Sequence, residues 1–137
     1  MSKICVFLLE DEPMERDLFL EQLQDAVSPE DDVIGASNAM EAIELLKSLA
    51  SKGVYPVLVF CDLNMPGTLK GFDVLRYLCA APEYDRTAKL VLSSSTKPED
   101  RDECDQIGAT EFLSKALTRM QNMALIMRAV DKYRNGV

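Results

Sequence analysis

Apolar residues in this chain alternate between two spacings, and that alternation restricts the fold more than any other feature. Ile4-Cys5-Val6-Phe7-Leu8-Leu9 is an unbroken apolar run, the pattern of a strand covered on both faces. Pro13 then opens a segment in which Phe19, Leu20, Leu23 and Val27 fall on one helical face. Ser28-Pro29-Glu30-Asp31 breaks it, and a short strand is predicted through Val33-Ile34-Gly35-Ala36. Asn38 is a good N-cap for a helix bearing Ala39, Ala42, Ile43, Leu46, Leu49 and Ala50, which ends near Gly53. Val57 to Cys61 reads as a third strand, and Phe72, Leu75, Leu78 and Cys79 as a helix that stops before Pro82. Leu90-Val91-Leu92 predicts a fourth strand running into Ser93-Ser94-Ser95. Pro98 to Gly108 predicts a helix, Thr110 to Leu113 a fifth strand, and Leu117 to Tyr133 a last helix. The order βαβαβαβαβα calls for an α/β fold, a doubly wound parallel sheet with helices on both faces. In the last helix the stripe Met120, Met123, Ala124, Met127 and Val130 is expected to face the core rather than to serve as an adaptable partner surface.

A chain of 137 residues supports one domain, here 1–137, with 135–137 read as a tail or the start of a linker. No apolar run is long enough to span a bilayer, and Met1-Ser2-Lys3 leads straight into a strand-like segment, so a cytoplasmic protein is expected. The four cysteines, Cys5, Cys61, Cys79 and Cys104, lack C-x-x-C spacing and read as reduced thiols. A net charge of -8 argues against direct binding to nucleic acid or an anionic membrane. With no histidine, Ser-His and Cys-His catalysis and most zinc sites are excluded. Any chemistry must run on carboxylates, hydroxyls, lysines and a hard metal.

Ligands of open α/β sheets bind at the carboxyl ends of the strands, where strand order reverses. There the first strand delivers Glu10, Asp11 and Glu12, the third Asp62 with Asn64 two residues on, the fourth Ser93, and the fifth Lys115. Taken singly, these are ordinary cap, turn and surface residues. Together they form one acidic edge with a hydroxyl and a lysine. Clustered carboxylates repel unless a hard cation lies between them, and Mg²⁺ takes one or two carboxylates while keeping waters. Asp11, Asp62 and the backbone carbonyl of Asn64 suit it. Asp62 could then attack phosphorus and form an aspartyl-phosphate, with Lys115 and the Ser93 hydroxyl holding other phosphoryl oxygens.

These residues resemble the receiver domain of two-component response regulators over nearly the whole chain. "FLLEDEP" looks like the family's first strand and acid pair, which places Glu10 and Asp11 at the metal-binding positions. "DLNMPG" resembles the phosphorylation motif with Asp62 as acceptor, and "LSSS" the strand end with the switch residue Ser93 followed by the small Ser94. "GATEFLSK" is similar to the segment ending in the family's lysine, here Lys115. The resemblance implies a flavodoxin-like, CheY-like sheet in order 2-1-3-4-5. It implies a place in a His-Asp phosphorelay, with a histidine kinase or histidine phosphotransfer protein as phosphoryl donor and Mg²⁺ as cofactor. Such a domain catalyses only its own phosphorylation and dephosphorylation. The resemblance also implies a switch in which Ser93 moves toward the phosphoryl group and Phe112 repacks, altering the face of helix 4, strand 5 and helix 5 for an effector or a homodimer. Phe112 reads equally as plain core. Asn64 and Ser95 would flank the path of attacking water and tune dephosphorylation.

Three departures stand out. Ala116 follows Lys115 where the family usually has proline, and a cis bond there would cost about 2.5–4 kcal/mol against trans, so this loop is expected to differ. The turn "MPGTLKG" is one residue longer than usual, and Phe112 replaces a frequent tyrosine. From Glu99 to Gln106 the fourth helix offers Cys104 as its clear apolar residue, consistent with a mobile switch element or a plain solvated edge. Three other readings compete with this one. A haloacid-dehalogenase-type phosphatase would carry its aspartate after the first strand and need a cap. A flavodoxin would need a phosphate cradle where Glu10-Asp11-Glu12 repels phosphate. The last rival is a receiver that only binds partners.

Overall fold

Successive residues of a strand point to opposite faces, so each unbroken apolar run feeds two cores at once. In the computed structural model, which describes residues 3–63 and 70–137, that is how the sheet is used. The elements are β1 (Cys5–Leu9), α1 (Pro13–Ala26), β2 (Asp32–Ala36), α2 (Ala39–Ser51), β3 (Leu58–Asp62), α3 (Gly71–Ala80), β4 (Ala88–Ser93), α4 (Pro98–Ile107), β5 (Glu111–Ser114) and α5 (Arg119–Tyr133). A 3₁₀ turn at Pro82–Tyr84, absent from the sequence reading, precedes β4. The strands form one parallel sheet in the order β2-β1-β3-β4-β5.

Val6, Leu8, Leu58, Phe60, Leu90 and Leu92 pack on one face against Phe19 and Leu23 of α1 and Ile126, Ala129, Val130 and Tyr133 of α5. Phe19 meets Phe60 edge-on, with ring centres 5.1 Å apart. Phe7, Leu9, Val59 and Cys61 pack on the other face against Ala42 and Leu46 of α2 and Val74 and Leu78 of α3. A smaller cluster, Leu63, Leu75, Val91 and Cys104, joins α4 to the sheet with Phe72, Ile107 and Phe112 at its margin. The register pairs Leu9 with Cys61, Asp62 with Leu92 and Ser93 with Ser114, so these strand ends meet at one edge.

The expected caps form. Asn38 Oδ1 accepts from the Glu41 N–H at 2.8 Å, and Glu12 Oε2 from the Glu15 N–H at 2.7 Å. The last helix starts at Arg119, later than predicted, because Thr118 takes the N-cap and accepts from the Gln121 N–H at 3.1 Å. Leu117 is left 91% exposed. The methionine stripe is a correction too, since Met120 is 82% and Met127 55% exposed. Of that stripe Val130 is buried, and the core face is Ile126, Ala129, Val130 and Tyr133 instead. Both sets have helical spacing, and the sheet selects the set with the shape-filling branched and aromatic side chains. All four cysteines are free thiols, with Cys5, Cys61 and Cys104 buried and Cys79 half-buried. Asn64, and with it the carbonyl ligand, the tuning role and the longer turn, lies outside the described residues.

Candidate functional site

The end of β1 turns sharply into α1. The Glu10 N–H donates to the Ala36 carbonyl at 3.1 Å, which carries the β1–β2 pairing one residue past the strand. Glu10 itself is buried, and its Oε2 accepts from the Glu12 N–H at 3.1 Å. One turn into α1, a guanidinium nitrogen of Arg16 donates to the carbonyl oxygens of Glu10 at 3.1 Å and Asp11 at 3.4 Å. Thus the acid pair is held by its backbone. Asp62, the last residue of β3, is 1% exposed.

Lys115, just beyond β5, spans these elements. Its Nζ lies 3.1 Å from Asp62 Oδ2, 3.3 Å from Glu10 Oε1 and 3.9 Å from Glu15 Oε2. Carboxylate oxygens of Glu10, Asp11 and Asp62 all lie within 4.8 Å of one another. The electrostatics follow from this crowding. Burial pushes the Glu10 carboxyl up to about 7; the Glu12 N–H opposes this, while the Asp62 charge adds to it. Burial would lower the Lys115 ammonium, but the charges of Asp62 and Glu10 outweigh it and hold it above its ordinary value. A donor set of three carboxylates is compatible with a hard divalent cation, which would relieve their repulsion.

Ser93 is buried at the end of β4, and its Oγ accepts from the Ser95 N–H at 2.9 Å. Ser94 is exposed, and the Ser95 Oγ accepts from the Lys97 N–H at 3.1 Å. Phe112 is half-buried against the α4 cluster. The fourth helix has Cys104 as its buried residue, as its composition predicts. The Lys115–Ala116 bond is trans.

Sequence reasoning missed three contributors. Glu15 and Arg16 lie on the first turn of α1, a position that already implies nearness to the acid pair. The third is Gly71 at the start of α3, where a Cβ would lie 2.0 Å from the Asp62 carbonyl oxygen. The buried Cys61 thiol donates to the Gly71 carbonyl at 3.4 Å. The α3 terminus is therefore seated directly on the backbone of Asp62, which no local pattern could reveal.

Comparison with known proteins agrees with this geometry. A protein-glutamate methylesterase/protein-glutamine glutaminase of Geobacter sulfurreducens is 32% identical over 129 residues, covering 93% of this chain and 32% of that protein. The chain thus spans about a third of that relative's length. Among solved structures, the phosphorylated cyanobacterial phytochrome response regulator RcpA superposes with a TM-score of 0.84 at 23% identity, covering 97% of this chain and 95% of that one. The Mn²⁺-bound form of response regulator Rcp1 superposes at 0.75 with 18% identity, covering 96% and 94%. At these identities the two structures speak for the fold. The model of the response regulator receiver domain matches residues 6–127, and with the acidic edge and the strand order this makes the chain a member of that family, a receiver domain of phosphorelay signalling.

Proposed function

We propose that Asp62 accepts a phosphoryl group from the phosphohistidine of a histidine kinase or a histidine phosphotransfer protein. A carboxylate oxygen of Asp62 attacks phosphorus, the P–N bond breaks, and the electron pair leaves with the imidazole nitrogen, which gives an acyl phosphate. The observation that carries this reading is a carboxylate 1% exposed at a strand end, 3.1 Å from Lys115 Nζ and grouped with Glu10 and Asp11. Lys115 would leave its contact with Asp62 Oδ2 to hold a phosphoryl oxygen. Ser93 would give up its bond from Ser95 to donate to another, beside the small exposed Ser94.

Mg²⁺ held by Asp11, Asp62 and Glu10 would keep the acceptor ionised and neutralise charge on the phosphoryl oxygens. The Mn²⁺-bound Rcp1 and the phosphorylated RcpA, both of this fold, support the reading by analogy. Residues 1–137 make up one receiver domain, with 135–137 as a tail or the start of a linker, which acts in the cytoplasm and does not itself grip nucleic acid. It catalyses its own phosphorylation from small donors and its own dephosphorylation, which Ser95 tunes. Phosphorylation draws Ser93 inward, Phe112 repacks, and the face of α4, β5 and α5 changes for an effector or a second copy.

Intact mass after incubation with acetyl phosphate, with and without Mg²⁺, tests this. One added phosphoryl group that requires both Mg²⁺ and Asp62 is expected, and Asp62→Asn should give none. No adduct in the wild type, and no binding of beryllofluoride, would leave a receiver fold used for binding alone.

A further inference from the structure

Lys115 must be placed to within a fraction of an ångström to serve the acceptor, yet the segment that carries it has little packing of its own. Of the residues between β5 and α5, Ala116 is half-buried and Leu117 and Thr118 are exposed. Beneath them, between α1 and this segment, lies a half-open groove of about 240 Å³ whose walls include Glu10, Lys115, Gln22 and Asn122. Empty space under a loop is space into which it can sag. Two polar ties oppose this. On the strand side the Lys115 N–H donates to the Ser93 carbonyl at 3.0 Å. On the helix side Gln22 of α1, buried at 7% exposure, donates from Nε2 to the carbonyl of Arg119 at 2.9 Å, and its Oε1 accepts from Asn122 Nδ2 at 2.8 Å.

Both ends of the Gln22 amide are thus spent on the first turn of α5, about 100 residues away in the chain. A buried amide with no partner is costly, so the pair of bonds fixes where α5 begins relative to α1. Four residues earlier in the chain stands Lys115. We propose that Gln22, seated by Asn122, is a positioning residue that sets the reach of Lys115 to the acceptor carboxylate.

This rests on the reading that Lys115 holds a phosphoryl oxygen, and the experiment separates the two. Phosphorylation by acetyl phosphate and beryllofluoride affinity are measured in wild type, Gln22→Met, Asn122→Ala and Lys115→Met, and in Gln22→Met combined with Lys115→Met. Circular dichroism reports folding. Gln22→Met is expected to slow phosphorylation roughly 10- to 100-fold and to weaken beryllofluoride by a similar factor, as small misplacements of reacting groups do. Asn122→Ala, which removes a half-buried partner and keeps the test alive if Gln22→Met does not fold, should show a smaller loss of the same kind. With Lys115 already replaced, Gln22→Met should change the rate by no more than about twofold. An equal slowing in both backgrounds, or no slowing by either clamp variant, overturns the proposal. A Lys115→Met protein as fast as wild type would instead overturn the role of Lys115, and the clamp proposal with it.

Discussion

The Arg101 guanidinium of α4 lies 5.1 Å from the centre of the Phe112 ring on β5. It roofs a ring that is otherwise half-buried against the cluster around Val91 and Cys104. α4 buries Cys104 where α5 buries Ile126, Ala129, Val130 and Tyr133, so this cation-over-ring contact is one of few ties on α4, beside the 2.6 Å ion pair from Glu103 to Arg76 of α3. Arg101→Ala should cost about 0.5–1 kcal/mol, read as a lower urea midpoint. In hydrogen exchange the α4 amides should already be the fastest of the five helices, and faster still in the variant. Protection of α4 equal to that of α5 would refute this.

Glu10 gives a pH dependence opposite in sign to that of most carboxylates. Raised chiefly by burial, it keeps its proton longer in the folded chain than in the unfolded one, between about 4.5 and 7. The folded state binds more protons in that window, so this group's contribution to stability falls as pH rises through it. Without divalent metal, Glu10→Gln should raise the melting temperature by roughly 3–6 °C at pH 8, with the gain vanishing near pH 4. A constant difference across this range would show that Glu10 does not titrate as described.

Asp31 behaves in the usual sense. Burial would raise its carboxyl, but N–H groups of Ile4 and Ser28, each at 2.9 Å, and Arg134 at 3.6 Å outweigh burial and hold it below the ordinary range. Its contribution is therefore complete above the unfolded value of about 3.9 and is lost as pH falls through the lower folded value. Asp31→Asn should cost about 1–3 kcal/mol at pH 7. Chemical denaturation from pH 7 to pH 2 should show that gap closing, whereas a gap unchanged at pH 2 would contradict the assignment.

Gly71→Ala places a methyl carbon where 2.0 Å separates it from the Asp62 carbonyl oxygen and 2.8 Å from Leu63 Cα. Both obstacles are backbone, so the chain itself must shift, at a cost of about 1–3 kcal/mol. Because Asp62 shifts with it, phosphorylation should slow as well. A variant with unaltered stability and rate would mean that the α3 terminus does not fix Asp62.

The sheet was legible because parallel strands buried on both faces leave unbroken apolar runs, and Val57 to Cys61 needs no context to be recognised. Asp62 and the acid pair were legible because each follows such a run, and Lys115 because it follows the short strand expected through Thr110 to Leu113. What stayed hidden depends on distance in three dimensions. Gln22 looks like a solvated helix residue until Arg119 and Asn122 arrive from the far end of the chain. The Met120 and Ile126 faces of α5 have the same period, so which one is buried is settled by fit against Leu92 and Phe60, not by local pattern.

The contact between Gly71 and Asp62 closes the base of the segment between them, nine positions apart in the chain. With backbone pressed on backbone there, the seam acts as a hinge pin: any motion of the α3 terminus is handed directly to the Asp62 main chain, and any shift of Asp62 to α3.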